Sequence, residues 1–256
     1  MGMIEYLKIK NFKSVKDLEM DCNKINIFVG MPNVGKSNIL EALSVLTIPI
    51  AEISDFKKFI RFEKNRNLFY DNIASEDVVI NTNILNARLQ YSKNENNVYL
   101  GVGTDSIANE PLRDFFQKHP ENDGPTGQEE LFLAEICSRR TLHRRRIFSK
   151  GYRVKKYIFE KNTQFSKVKG EGLLMPWGET LFYIIQDNPE IAQEVSGYFE
   201  PYGLDWLFDP EANKFEIQKK VNKIIYRYPF SLVADTLQRM IFYLTAIESN
   251  DNCTLV

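Results

Sequence analysis

Gly30-Met31-Pro32-Asn33-Val34-Gly35-Lys36-Ser37 holds two glycines at a fixed spacing, with a lysine and a hydroxyl directly after the second. Ahead of it, Ile25, Ile27, Phe28 and Val29 form the short apolar run of a buried strand. Behind it, Ile39, Leu40, Ala42, Leu43 and Leu46 recur at helical spacing. A loop of the form G-x-x-x-x-G-K-[ST] between a strand and a helix is a phosphate-binding loop. Glycine at 30 and 35 lets the backbone turn and approach the phosphates. Consecutive N–H groups through Asn33 and Val34, and the positive end of the following helix, then face the anion. Lys36 would reach the β- and γ-phosphates, and the Ser37 hydroxyl is the usual ligand for the Mg²⁺ that bridges them. The stretch predicts a nucleoside triphosphate site with Mg²⁺, its chemical duties resting on Lys36 and Ser37.

The 256 residues are 43% hydrophobic and 26% charged, enough for a full core in one large domain or two small ones. With 33 basic against 34 acidic side chains, there is no global field to draw in nucleic acid or an anionic membrane. Any such binding must be local. Cys22, Cys137 and Cys253 are odd in number and far apart, which fits a reducing cytoplasm and three buried thiols. No stretch reaches the ~18 apolar residues of a membrane span, and the start lacks a signal-peptide pattern, so the expected location is cytoplasmic.

Strands are predicted at Ile4 to Ile9 and Val15 to Met20, with a further pair between Val78 and Val102 turning at Lys93–Asn97. Residues 1–103 therefore read as a β-rich lobe carrying the phosphate loop. Pro111, Pro120, Gly124, Pro125 and Gly127 break the next stretch, where a short helix at Leu112–Lys118, a helix at Glu129–Arg146 and a strand at Arg153–Phe159 are expected. Residues 104–170 then form a helical and basic arm. Residues 171–256 form a second lobe, with helices at Glu179–Gln186, Pro189–Tyr198 and Leu232–Glu248.

Three segments together, Ile9-Lys-Asn-Phe-Lys-Ser14, Ile25-Asn-Ile-Phe-Val-Gly30 and Asn33 with Gly35-Lys-Ser-Asn-Ile-Leu-Glu-Ala42, resemble the start of ABC-type ATPases of the RecF, SMC and OLD-like group. The resemblance implies an α/β P-loop NTPase fold, with a mixed sheet, an antiparallel β lobe and a helical arm. It implies ATP as ligand, and an ATP-dependent homodimer engaged in DNA-related work. It also places Lys13 near the phosphates and has Asn33 and Asn38 line the nucleotide. Read alone, Lys13 is a solvated lysine at a strand end, and Asn38 an ordinary first-turn polar residue.

In the second half, Pro176-Trp-Gly-Glu-Thr-Leu181 resembles an element that precedes the signature region of such ATPases, and Phe230–Phe242 resembles the signature helix itself. Asp235 and Arg239 keep the pattern. Ala234 stands where the family has the serine that donates to the γ-phosphate of the opposing subunit; either Ser231, three residues earlier, supplies the hydroxyl instead or the contact is absent. The same positions also read as an amphipathic core helix, through Leu237, Ile241, Leu244 and Ile247. In the family the strand after this helix carries the Mg²⁺-holding aspartate and the water-activating glutamate. The chain stops at Val256 before them, so it reads as a truncated head, expected to bind ATP weakly at best and hydrolyse little alone.

Between Ser138 and Lys156 stand nine basic residues and no acid, among them Arg139, Arg140, Arg144, Arg145 and Arg146. The cluster suits DNA contact, and equally a solvated face. Two other functions compete. The loop resembles that of Era- and Obg-like GTPases, but no D-x-x-G occurs, and each Asn-Lys pair lacks its terminal aspartate. A nucleotide-gated signalling module with little turnover is compatible with Ala234.

Overall fold

The computed structural model describes residues 3–50, 56–104, 111–114, 131–137, 142–146, 154–161, 165–166, 172–209, 211–212 and 214–256. They fall into two compact units, one running to Val154 and the other from Lys155 to Leu255.

The first unit is built on a sheet of seven antiparallel strands. β1 (Tyr6–Phe12) and β2 (Val15–Asp21) make the predicted hairpin. Along β1, Leu7 and Ile9 are fully buried. The alternate Lys8 and Lys10 reach across to Glu19 and Asp17 on β2. Next come β3 (Val78–Thr82), β4 (Asn86–Ser92), β5 (Asn97–Gly103), β6 (Leu131–Ile136) and β7 (Leu142–Arg146), completing the order β2-β1-β3-β4-β5-β6-β7. Beside the sheet runs α1 (Lys36–Val45). Its first turns lie at the surface, while Ala42, Val45 and Leu46 are fully buried. A run of single 3₁₀ turns between Phe56 and Asn72 buries Phe56, Ile60, Leu68 and Phe69.

Three expectations change here. The helix at Glu129–Arg146 is instead the strand pair β6 and β7, where described. Phe132, Leu133 and Ala134 are all buried, and a strand covered on both faces shows a continuous apolar run rather than alternation. The region from Val78 to Val102 holds three strands, not two. The strand expected at Ile25–Val29 joins none of the described ladders, and Ile25, Ile27 and Val29 are 76, 81 and 88% exposed. Apolar sequence alone does not make a strand; the backbone needs a ladder partner.

Among the described residues, β8 (Val154–Lys155), where the second unit begins, is all that forms of the strand expected at Arg153–Phe159, and it pairs with β12 (Thr254–Leu255). α2 (Leu181–Asp187), α3 (Pro189–Phe199) and α4 (Asp235–Glu248) match the predicted helices. Asn188 caps α3, accepting from the N–H groups of Glu190 and Ile191. Between α3 and α4 lie β9 (Asp205–Asp209), β10 (Lys214–Val221) and β11 (Ile224–Pro229), an antiparallel sheet in the order β11-β10-β9 that sequence reading missed. The core is aromatic: Phe182 meets Phe208 at 4.7 Å and Phe215 at 5.3 Å, edge to face, and Trp206 meets Phe208 at 4.4 Å. Phe199, Ile217, Ile241 and Phe242 close it.

The first unit runs on past 103 to Val154, because β6 and β7, which lie in the expected arm, add two strands to the first sheet. The three cysteines are free and half-buried, not fully buried; desolvation still pushes the thiols of Cys22 and Cys137 above the ordinary cysteine value. Among the described residues, no helix is long and apolar enough to cross a membrane.

Candidate nucleotide site

The Gly30–Ser37 loop runs directly into the first turn of α1. Gly35 is the residue before the helix and sits at φ 95°, a left-handed backbone that glycine adopts without a Cβ clash. Asn33, at φ 63°, makes a second left-handed turn inside the loop. The Gly35 carbonyl accepts from the N–H groups of Asn38 and Ile39. No side chain caps the helix, and its first turn contains no acid. The helix N-terminus therefore keeps its unpaired donors and partial positive charge for an anion.

Lys36 arches back over the loop, its ammonium donating to the carbonyls of Gly30 at 2.7 Å and Met31 at 2.6 Å. The positive charge is thus centred on the loop itself. Ser37 and Asn33 are exposed, and so is Val34, at 61%. A single exposed hydroxyl at the first turn suits Mg²⁺ held chiefly by phosphate oxygens and water. Among the described residues, no group of three His, Cys, Asp or Glu side chains could hold a metal by itself.

Behind the loop lies the turn of the β1–β2 hairpin. Asn11, buried at φ 57°, donates to the Glu76 carbonyl at 2.6 Å and accepts from the Tyr70 N–H at 3.2 Å. Phe12 is fully buried, and Lys13 follows at φ 51°, its N–H bonded to the Leu68 carbonyl at 3.2 Å. Ser14 then accepts a hydrogen bond from the Asn38 amide at 2.7 Å. Asn38 is therefore more than a first-turn polar residue, since it ties the hairpin to α1.

Lys13 is not solvated. Its side chain is 11% exposed, and its ammonium is bound by the Glu41 carboxylate and the Arg61 carbonyl, 5.7 Å from the Phe12 ring centre. Burial lowers its pKa from the ordinary lysine value; Glu41 pulls the other way but does not outweigh the desolvation. Glu41 also accepts from the Arg61 guanidinium at 2.6 Å and from the Arg61 N–H at 3.3 Å. Sequence reading took none of Ser14, Glu41 and Arg61 as site residues. The one available signal was a carboxylate in the second turn of α1, beside the apolar Leu40, Ala42 and Leu43.

The signature-like residues lie in the second unit. Ala234 precedes α4 and offers no capping side chain, so this helix start has no side-chain acceptor. Asp235 and Arg239 pair with each other at 2.6 Å, and Arg239 stacks over Phe159 at 4.7 Å. Lys161 adds a second cation at 3.4 Å from Asp235. Arg239 first, then Lys161, holds the Asp235 carboxyl below its usual value. Ser231 is exposed in a single 3₁₀ turn. Gly178, at φ 67°, packs so closely on α4 that a Cβ there would lie 2.5 Å from the Phe242 ring. The element at Pro176–Leu181 thus supports α4. Of the basic cluster, Arg139 and Arg140 lie outside the described residues, and Arg144, Arg145 and Arg146 fall on β7.

A bare helix start behind a lysine-covered, glycine-hinged loop defines a P-loop nucleotide site. Residues 3–174 match the AAA ATPase domain family, and the chain belongs to that family, which has the P-loop NTPase fold. It is 33% identical over 109 aligned positions to a Helicobacter pylori protein named ATP/GTP phosphatase, an alignment covering 37% of this chain and 30% of that one. It is 40% identical over 60 positions to an uncharacterized protein of Methanocaldococcus jannaschii, covering 23% of this chain and 27% of the other. The chain spans less than a third of the length of these curated relatives.

Proposed function

We propose that this chain is the ATP-binding head of a P-loop ATPase, binding ATP with Mg²⁺ at Gly30–Ser37 as the substrate of hydrolysis. The observation that carries this is the uncapped, acid-free start of α1 under the Lys36 ammonium. Only a polyanion uses both features at once. In this reading the backbone from Asn33 to Lys36 cradles the phosphates, Lys36 neutralises their charge, and Ser37 holds Mg²⁺. Bound Mg²⁺ would offset charge on the terminal phosphates during transfer. The name of the Helicobacter pylori relative supports phosphate release as the reaction.

The finer parts of the reading are an ATP-dependent homodimer, through the surface of Ser231, Ala234, Asp235 and Arg239, and work on DNA. They draw support from the resemblance of residues 230–242 to a signature helix and from the basic cluster at 139–146. Calorimetric titration of the chain with Mg·ATP and Mg·GTP tests the core claim. Saturable binding of ATP, tighter than of GTP, is expected. Absence of heat with either nucleotide would sink the reading.

A further inference from the structure

We propose that Lys13 is an anchor, locked with Glu41 and Arg61, that holds the β1–β2 turn against the second turn of α1 and so sets Ser14 beneath Gly35. Glu41 is the positioning residue on which the lock depends. The inference rests on the reading of Gly30–Ser37 as the phosphate site.

Asn38 and Glu41 are three residues apart and share one face of α1. The two residues of the turn dock on them in order, Ser14 on Asn38 and Lys13 on Glu41. The Glu41 backbone lies about 7.5 Å of helix rise beyond Lys36, so the Lys13 ammonium is committed to the helix body rather than to its anion-binding end. Three further contacts converge on that position. Glu41 is itself buried, with its side chain 7% exposed. Arg61 reaches the same carboxylate through Nε and through its own N–H, while its carbonyl takes the other side of the Lys13 ammonium. Lys13 adopts a positive φ, uncommon for a long side chain and kept only where the surroundings impose it.

The charge balance points the same way. Burial costs the ammonium more than Glu41 returns, so the pair is poorly explained as a source of stability. Its best-attested kind of use is to fix register. Here the register is which turn of α1 the hairpin meets. A slip would move Ser14 off Gly35, whose φ of 95° turns the phosphate loop into α1.

A double-mutant cycle on the 256-residue chain tests this, using Lys13→Met, Glu41→Gln and both together, titrated with Mg·ATP and with Mg·ADP. An anchor acts through the loop. Each single change should therefore weaken both nucleotides by the same factor, about tenfold, and the double variant should be no weaker than either single one. Lys13→Arg should restore most of the affinity, because it keeps the charge on Glu41. Overturning results are a loss for ATP much larger than for ADP in Lys13→Met, with Glu41→Gln at wild-type affinity, or additive losses in the double variant. The first would make Lys13 a ligand of the terminal phosphate. If a buried variant fails to fold, Arg61→Ala reads the same lock from its open side, since that side chain is 76% exposed. An equal loss for ATP and ADP of about threefold is expected, and wild-type affinity for both would overturn the proposal. Failure of the underlying reading looks different: Lys36→Ala would then bind nucleotide as the wild type does.

Discussion

The Ser14 hydroxyl lies 2.6 Å from the point where a Cβ on Gly35 would stand. Two independent constraints therefore fall on one glycine, since its φ of 95° already disfavours any side chain. Gly35→Ala should lower the thermal midpoint and weaken ATP binding, at a cost of about 1–3 kcal/mol in stability. Ser14→Gly in the same chain should recover only the steric part. Full recovery in the double variant would show that backbone strain plays no role.

Asn11 carries the hairpin on its other side. Its buried amide bonds the Tyr70 N–H and the Glu76 carbonyl, and its own backbone is left-handed at φ 57°. Asn11→Ala loses both bonds and the tolerance of asparagine for that conformation, so about 2–3 kcal/mol should disappear in urea unfolding. Asn11→Gly, which keeps only the backbone freedom, should fall between alanine and the wild type.

Much of this was legible in the sequence, and the rest was hidden for physical reasons. The β1–β2 hairpin and the start of α1 at Lys36 are local features, encoded by alternation and by a glycine hinge, and both stand where expected. β6 looked helical because burial on both faces erases alternation. β9 and β10 went unread because their apolar side chains serve an aromatic cluster that only the fold assembles, and β11, exposed along its whole length, shows no buried alternation at all. Glu41 was passed over because its meaning lies in Lys13 and Arg61, 28 and 20 residues away in sequence. Ile25–Val29 shows the converse, where an apolar run marks a strand only if another strand lies beside it.

Alkaline pH should loosen the second unit through Tyr157. Its hydroxyl donates to the Leu173 carbonyl at 2.6 Å, and burial is the main cause raising its pKa well above the ordinary tyrosine value of 10.0. A raised folded value means that the stabilising contribution is complete below pH 10 and fades as pH climbs toward the folded value, because the unfolded chain releases its proton first. Urea unfolding at pH about 9 and about 11 should show a loss for the wild type that is smaller in Tyr157→Phe. Equal losses would contradict the assignment.

The Asp235–Arg239 pair is exposed, so Arg239→Ala should leave the thermal midpoint nearly unmoved. If this surface closes an ATP-dependent dimer, the same variant should abolish any ATP-induced increase in sedimentation coefficient shown by the wild type. A dimer that survives the change would remove this surface from the account.

On the proposed reading, the loop from Gly30 to Ser37 binds a triphosphate through the lysine folded across it. Calorimetric titration of Mg·ATP into Lys36→Ala, beside a wild-type control of matched thermal stability, tests it most directly. Binding should be lost in the variant. An affinity equal to that of the wild type would contradict it.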